Sequence, residues 1–168
     1  MNHISRAITA CSVLVMGCAF TLRAHAVALN DARALHGLHS VKSVFLINKN
    51  NPGALAKVLK VVGLTDTGMA KQGVKARLIV VVIGPSVAFL TKDLRGIPYT
   101  QRAAVSHVQA FVKKLHHMGV RFEACGVALS AGVDIPPGDM IPDVKPVGNG
   151  FISAIGYQAQ GYELVPVF

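Results

Sequence analysis

Among the side chains of this 168-residue sequence suited to covalent chemistry, the three cysteines come first: Cys11, Cys18 and Cys125. Cys125 closes a β-rich run, Arg121–Cys125 (RFEAC), and precedes Gly126 and a small-residue segment, Val127–Gly132, able to form a helical turn. A thiol placed between a strand end and a helix N-terminus meets free amides and the positive end of a helix dipole, which favour thiolate. A thiolate attacks sulfane sulfur or a disulfide and can carry sulfur as a persulfide. The competing reading is a buried, inert core cysteine, since free cysteine is among the most buried residue types.

Two further glycine-containing segments fall at predicted strand ends, Gly84–Pro85–Ser86 and Gly148–Asn149–Gly150. Ligands of open α/β sheets collect at the carboxyl ends of the strands, and glycine lets a ligand or another backbone come close. Together with Gly126 these residues form the candidate pocket, whose backbone amides would steady an anionic persulfide. Gly148–Asn149–Gly150 lacks the third glycine of a dinucleotide fingerprint and no phosphate loop is present, so no cofactor is expected. His36 and His39 stand three apart and could share a metal only if Asp31 or another ligand joined them, while His107, His116 and His117 read as surface residues. No metal is expected. Ser86 sits in no nucleophile elbow, and Glu123 and Asp134 flank Cys125 without forming an obvious acid/base pair.

The elements that must position Cys125 follow from the hydrophobic pattern. Val41–Asn48 reads as a strand, then Asn51 can cap and Pro52 open a helix with Ala54, Leu55, Val58, Leu59 and Val62 at helical spacing. Leu78–Ile83 (LIVVVI) is apolar without alternation, which marks a strand buried on both faces and makes it the central one. Ser86–Leu90 reads as a short helix and Leu94–Tyr99 as a loop. A long helix from Thr100 places Val105, Val108, Phe111, Val112, Leu115 and Met118 on one face and stops at Gly119. After Arg121–Cys125 come the turn-rich Pro136–Asp139, a strand at Val144–Val147, a tight turn at Gly148–Gly150, a helix at Phe151–Gln160 and a last strand at Tyr162–Val167. Residues 64–74 read as either a helix extension or a loop. The alternation predicts one α/β domain: a three-layer, open, mainly parallel five-stranded sheet with helices on both faces.

The N-terminus reads differently. Arg6, the apolar stretch Ala7–Leu22, and Ala24 and Ala26 make the three parts of a secretory signal cut after Ala26, leaving residues 27–168 as the folded domain. The stretch is short for a spanning helix and holds Thr9, Ser12 and Thr21, so no membrane segment is expected in the mature chain. Lipoprotein processing at Cys18 is the alternative, because Val15–Cys18 loosely matches a lipobox. Cleavage would remove Arg6, Arg23, Cys11 and Cys18, lowering the formal charge from +9 to +7 and leaving Cys125 as the one thiol of a periplasmic or secreted protein. A single thiol excludes an intramolecular disulfide framework. The basic residues are scattered and lack aromatic interleaving, so nucleic acid is not an expected partner.

The segment FEACGVALSAGVDIPPGDMIPDVKPVGNGFISAIGYQAQGYELVPVF resembles the C-terminal half of the DsrE/DsrF-like family. It shares a strand ending in Ala-Cys, a glycine-containing loop, a Val-x-x-Val strand, then glycine and a helix ending Gln-x-Gln-Gly-Tyr, and a last strand near Pro166. VFLINKNNPGALAKVLKVV and ARLIVVVIGPSVAFL resemble the family's first two strand–helix units, so the resemblance covers about residues 41–168. It implies a flavodoxin-like fold, homo-oligomers of trimer or hexamer type, and sulfur relay through a persulfide on a cysteine whose position falls on Cys125. The expected function is therefore that of a periplasmic sulfur carrier taking sulfur from a small donor or a sulfur-relay protein. The alternatives are a non-enzymatic, oligomeric small-ligand-binding module in which Cys125 only packs, and an exported metal binder using His36 and His39.

Overall fold

Residues Ser40–Ile47 (β1) and Lys75–Val82 (β2) pair in parallel over eight residues each, Ser40 opposite Lys75 through Ile47 opposite Val82. The structure, a computed structural model, describes residues 29–168; the expected signal at 1–26, its cut after Ala26 and the Cys18 alternative lie outside them. Both strands run from exposed starts into five consecutive buried residues, as a strand covered on both faces must.

Between them lies α1, Pro52–Lys71. The Asn51 side chain accepts from the Ala54 amide at 3.0 Å and proline occupies the first turn, where no backbone donor is lost. Leu55, Leu59 and Val62 form its buried stripe. The ambiguous segment from residue 64 continues this helix through Lys71, with the Thr65 and Thr67 hydroxyls turned back onto the Val61 and Gly63 carbonyls. Gly73, at φ +79°, ends it.

After β2 a short 3₁₀ helix, Gly84–Leu90, leads to α2, Tyr99–His117, which buries Val105, Val108, Val112 and Leu115 and stops at Gly119 with φ +95°. The remaining elements are β3 (Arg121–Cys125), a single π-type turn at Ala128–Gly132, β4 (Val144–Val147), α3 (Gly150–Ala159) and β5 (Glu163–Val167). All five strands are parallel, in the order β4-β3-β2-β1-β5. Steps from β1 to β2 to β3 run one way across the sheet and put α1 and α2 on one face. The return from β4 to β5, edge to edge, puts α3 on the other, as right-handed crossovers require.

The layers differ in content. The α1/α2 side holds a cluster of 22 buried residues, among them Leu55, Leu59, Val80, Val112 and Leu115, and the α3 side one of 8, among them Val44, Ile79, Val81 and Cys125. Both edge strands are short and each carries a proline, Pro146 in β4 and Pro166 in β5. No helix among the described residues is long and apolar enough to cross a membrane.

Candidate functional site

Strand alternation decides which way the residues of β3 face. Phe122 and Ala124 belong to the α1/α2 core, so Glu123 and Cys125 face α3. Past Cys125 the chain turns toward the α1/α2 side, where Leu129 joins that core; past the neighbouring β4 it turns to the opposite side and enters α3. Adjacent parallel strands whose connections leave to opposite faces open a crevice at their carboxyl ends, the place where open α/β sheets bind ligands. Cys125 ends β3 at that place, where the Val127 amide and the Gly148 carbonyl tie the exits of β3 and β4 together.

Gly148, Asn149 and Gly150 follow β4 beside it. Asn149, extended at φ −143°, caps α3 by accepting from the Phe151 amide at 2.9 Å, so Gly150 is the first helical residue rather than the last of a separate tight turn. The Gly150 N–H donates to Cys125 Sγ at 3.2 Å. A Cβ on Gly150 would stand 2.6 Å from Ile83 Cγ2 and 3.0 Å from Cys125 Cβ, so only glycine lets the helix start this close to the sulfur. Gly126 has the same role between strands. A Cβ there would meet the Val147 carbonyl at 2.7 Å, and the Val127 amide donates to the Gly148 carbonyl at 3.2 Å. The sulfur thus lies under the first amide of a ten-residue helix, where negative charge is favoured. It is a free thiol, 5% exposed.

The structure brings Cys125, Gly126, Gly148, Asn149 and Gly150 together. Gly84, Pro85 and Ser86 follow β2, and their contacts run to the β1–α1 loop. Gly84, at φ +57°, backs onto the Asn48 side chain, and fully buried Ser86 accepts from the Lys49 amide and donates to the Lys49 carbonyl at 2.6 Å. The Ser86 hydroxyl is occupied in fastening that loop. His36 and His39 join no metal-binding group: among the described residues no three His, Cys, Asp or Glu side chains are placed to hold an ion.

Next to Cys125 on the same face, Glu123 is 8% exposed and accepts from two hydroxyls of α3, Ser153 Oγ at Oε2 and Tyr157 at Oε1. Burial, and then the bond to this carboxylate, push the Tyr157 phenol up to about 12. The Arg121 guanidinium lies 5.5 Å from the Tyr157 ring and donates to the Tyr162 hydroxyl at 3.0 Å, while the two tyrosine rings are 5.3 Å apart. A cleft of about 470 Å³ opens beside this cluster, lined by Arg121, Glu123, Lys145 and Tyr157 among others. Sequence reasoning saw Glu123 only as a neighbour of Cys125. The available signal was the pairing of a carboxylate two residues before the cysteine with hydroxyls four apart on the last helix.

No protein-family model matches the sequence, and no curated protein matches it. Among solved structures it is similar to MTH1491 from Methanobacterium thermoautotrophicum, a protein of unknown function, with a TM-score of 0.58 and 23% identity over 75% of this chain and 98% of that one. The fold is a flavodoxin-like three-layer α/β sandwich.

Proposed function

We propose that this chain is an exported sulfur carrier of the DsrE/DsrF-like kind, with Cys125 as the sulfur-bearing thiol. The observation that carries the reading is the placement of Cys125 Sγ at the carboxyl end of β3, beside β4 and under the Gly150 amide. With thiosulfate as donor, the Cys125 thiolate attacks the outer sulfur, the sulfur–sulfur bond breaks, and sulfite leaves with the bonding electron pair. Cys125 then carries a persulfide anion whose charge faces the start of α3. A partner thiolate attacking the terminal sulfur takes it on and restores the thiolate.

Export through cleavage after Ala26 leaves Cys125 without a competing cysteine. The working form is a homo-oligomer, trimer or hexamer.

Incubation with thiosulfate or polysulfide followed by intact-mass measurement tests the chemistry. The wild type should gain about 32 Da per sulfur atom and Cys125→Ser nothing; no gain, or an equal gain in the variant, overturns it. The burial of Cys125 supports a second reading, a small-ligand-binding module in which the thiol only packs. That reading requires a thiol silent to alkylation until the protein unfolds globally.

A further inference from the structure

We propose that Glu123 is a positioning residue for Cys125: its carboxylate grips α3 through Ser153 and Tyr157, holds the Gly150 amide on the sulfur, and so sets how readily the thiol is exposed. The inference rests on the reading of Cys125 as the working thiol.

Glu123 and Cys125 are two apart on β3 and face the same helix. The residues of α3 that meet them, Gly150, Ser153 and Tyr157, stand at i, i+3 and i+7, one stripe of the helix. Two groups on the strand therefore grip three positions on one helix face, and the bond to sulfur and the bonds to carboxylate form or break together.

Apolar packing gives this helix little hold. Its buried residues are Gly150 and Ala154, which have almost no side chain to bury, whereas Phe151, Ile152 and Ile155 point outward. Beyond the Ala154 methyl group and the partly buried Tyr157 ring this helix has no apolar anchor, and the buried carboxylate with a hydroxyl on each oxygen supplies a further fastening. The Tyr157 phenol, raised first by burial and then by its bond to Glu123, keeps the proton it donates. A thiol 5% exposed meets a donor only when α3 shifts, so the strength of this grip governs its reactivity.

The test is the rate at which iodoacetamide alkylates Cys125 in the native full-length protein, followed by the mass of the peptide that contains Cys125, so that Cys11 and Cys18 do not count. Glu123→Gln should raise the rate about tenfold or more, and Ser153→Ala and Tyr157→Phe, which each remove one donor and leave the carboxylate, should raise it by smaller factors. If Glu123→Gln does not fold, the two single-donor variants decide. Wild-type protein in urea, matched to each variant in overall stability, gives the rate that global unfolding alone produces. Rates equal to wild type, or no faster than the matched wild type, overturn the proposal. Sulfur uptake from thiosulfate is read separately. Uptake with unchanged alkylation rates in the variants overturns the role of Glu123 and keeps the sulfur reading; faster alkylation with no uptake in any form keeps the role of Glu123 and overturns the sulfur reading.

Discussion

The two faces of the sheet are held by different forces. On one, α1 and α2 lay Leu55, Leu59, Val62, Val108, Val112 and Leu115 against the strands, with Lys and His on their outer sides. On the other, a single uncharged helix of ten residues is tied down by hydrogen bonds at Gly150, Ser153 and Tyr157. Apolar burial is non-directional and accumulates with area, so the first face is where the chain's stability resides. Hydrogen bonds contribute less net energy but fix direction, and the second face uses them to hold a sulfur against an amide. The thick side carries most of the buried apolar contact, and the thin side is held by a few directed bonds.

The largest effect that sharpens this contrast comes from truncating each core. Leu115→Ala should lower the unfolding free energy by about 2–5 kcal/mol in a urea titration. Ala154→Gly on α3 should cost only about 1 kcal/mol. Equal losses would erase the distinction between the faces.

Next in size is Gly150→Val. Its Cβ would press on Ile83 and Cys125, and overpacking of this kind costs about 1–3 kcal/mol. The helix start should move off the sulfur, so Cys125 should be alkylated faster than in Leu115→Ala at matched stability. A slower reaction would mean that the new side chain shields the thiol instead.

The two caps offer a matched pair. Asn51 caps α1 and Asn149 caps α3 with similar geometry, 3.0 and 2.9 Å. Replacement by alanine should cost about 1 kcal/mol at either site. Asn149→Ala should also raise amide exchange through α3 and thiol reactivity, and Asn51→Ala should leave both near wild type; the reverse pattern would contradict the division of labour.

The smallest effect is a titration. The Tyr157 phenol, raised from the ordinary 10 to about 12, keeps its proton longer in the folded chain than in the unfolded one. Its contribution to stability is therefore full below pH 10 and declines as the pH rises from 10 through 12. Tyrosinate absorbance should show one late step near 12 that Tyr157→Phe lacks. A wild-type protein with no such step would remove the phenol from the fastening.

Much of the architecture could be read from residue patterns because each element announces its own burial. The unbroken LIVVVI run marked a strand covered on both faces, and Asn51-Pro52 marked a helix start. The stretch from residue 64 stayed ambiguous since Leu-Thr-Asp-Thr-Gly lacks apolar periodicity, and the helix runs on through it with both threonine hydroxyls bonded to the helix's own carbonyls. Cys125 was recognisable as a strand-end thiol, but its place beside the exit of β4 and the start of α3 depends on strand order, which only the sheet reveals. Ser86 drew attention as a loop hydroxyl, yet its partner is the backbone of Lys49, thirty-seven positions earlier. Glu123 was the hardest to interpret. Its partners come thirty and thirty-four positions later, and nothing local separates a buried, doubly bonded carboxylate from a surface one.

The prolines in both border strands have a consequence for how copies of this chain can meet. Pro146 and Pro166 each withhold a backbone donor in the edge strands of the described sheet, on segments of four and five residues. Growth of the sheet from molecule to molecule, the route to fibres, is blocked at both ends. Contact between copies is left to the broad surfaces of the molecule, where it adds no strand to either sheet.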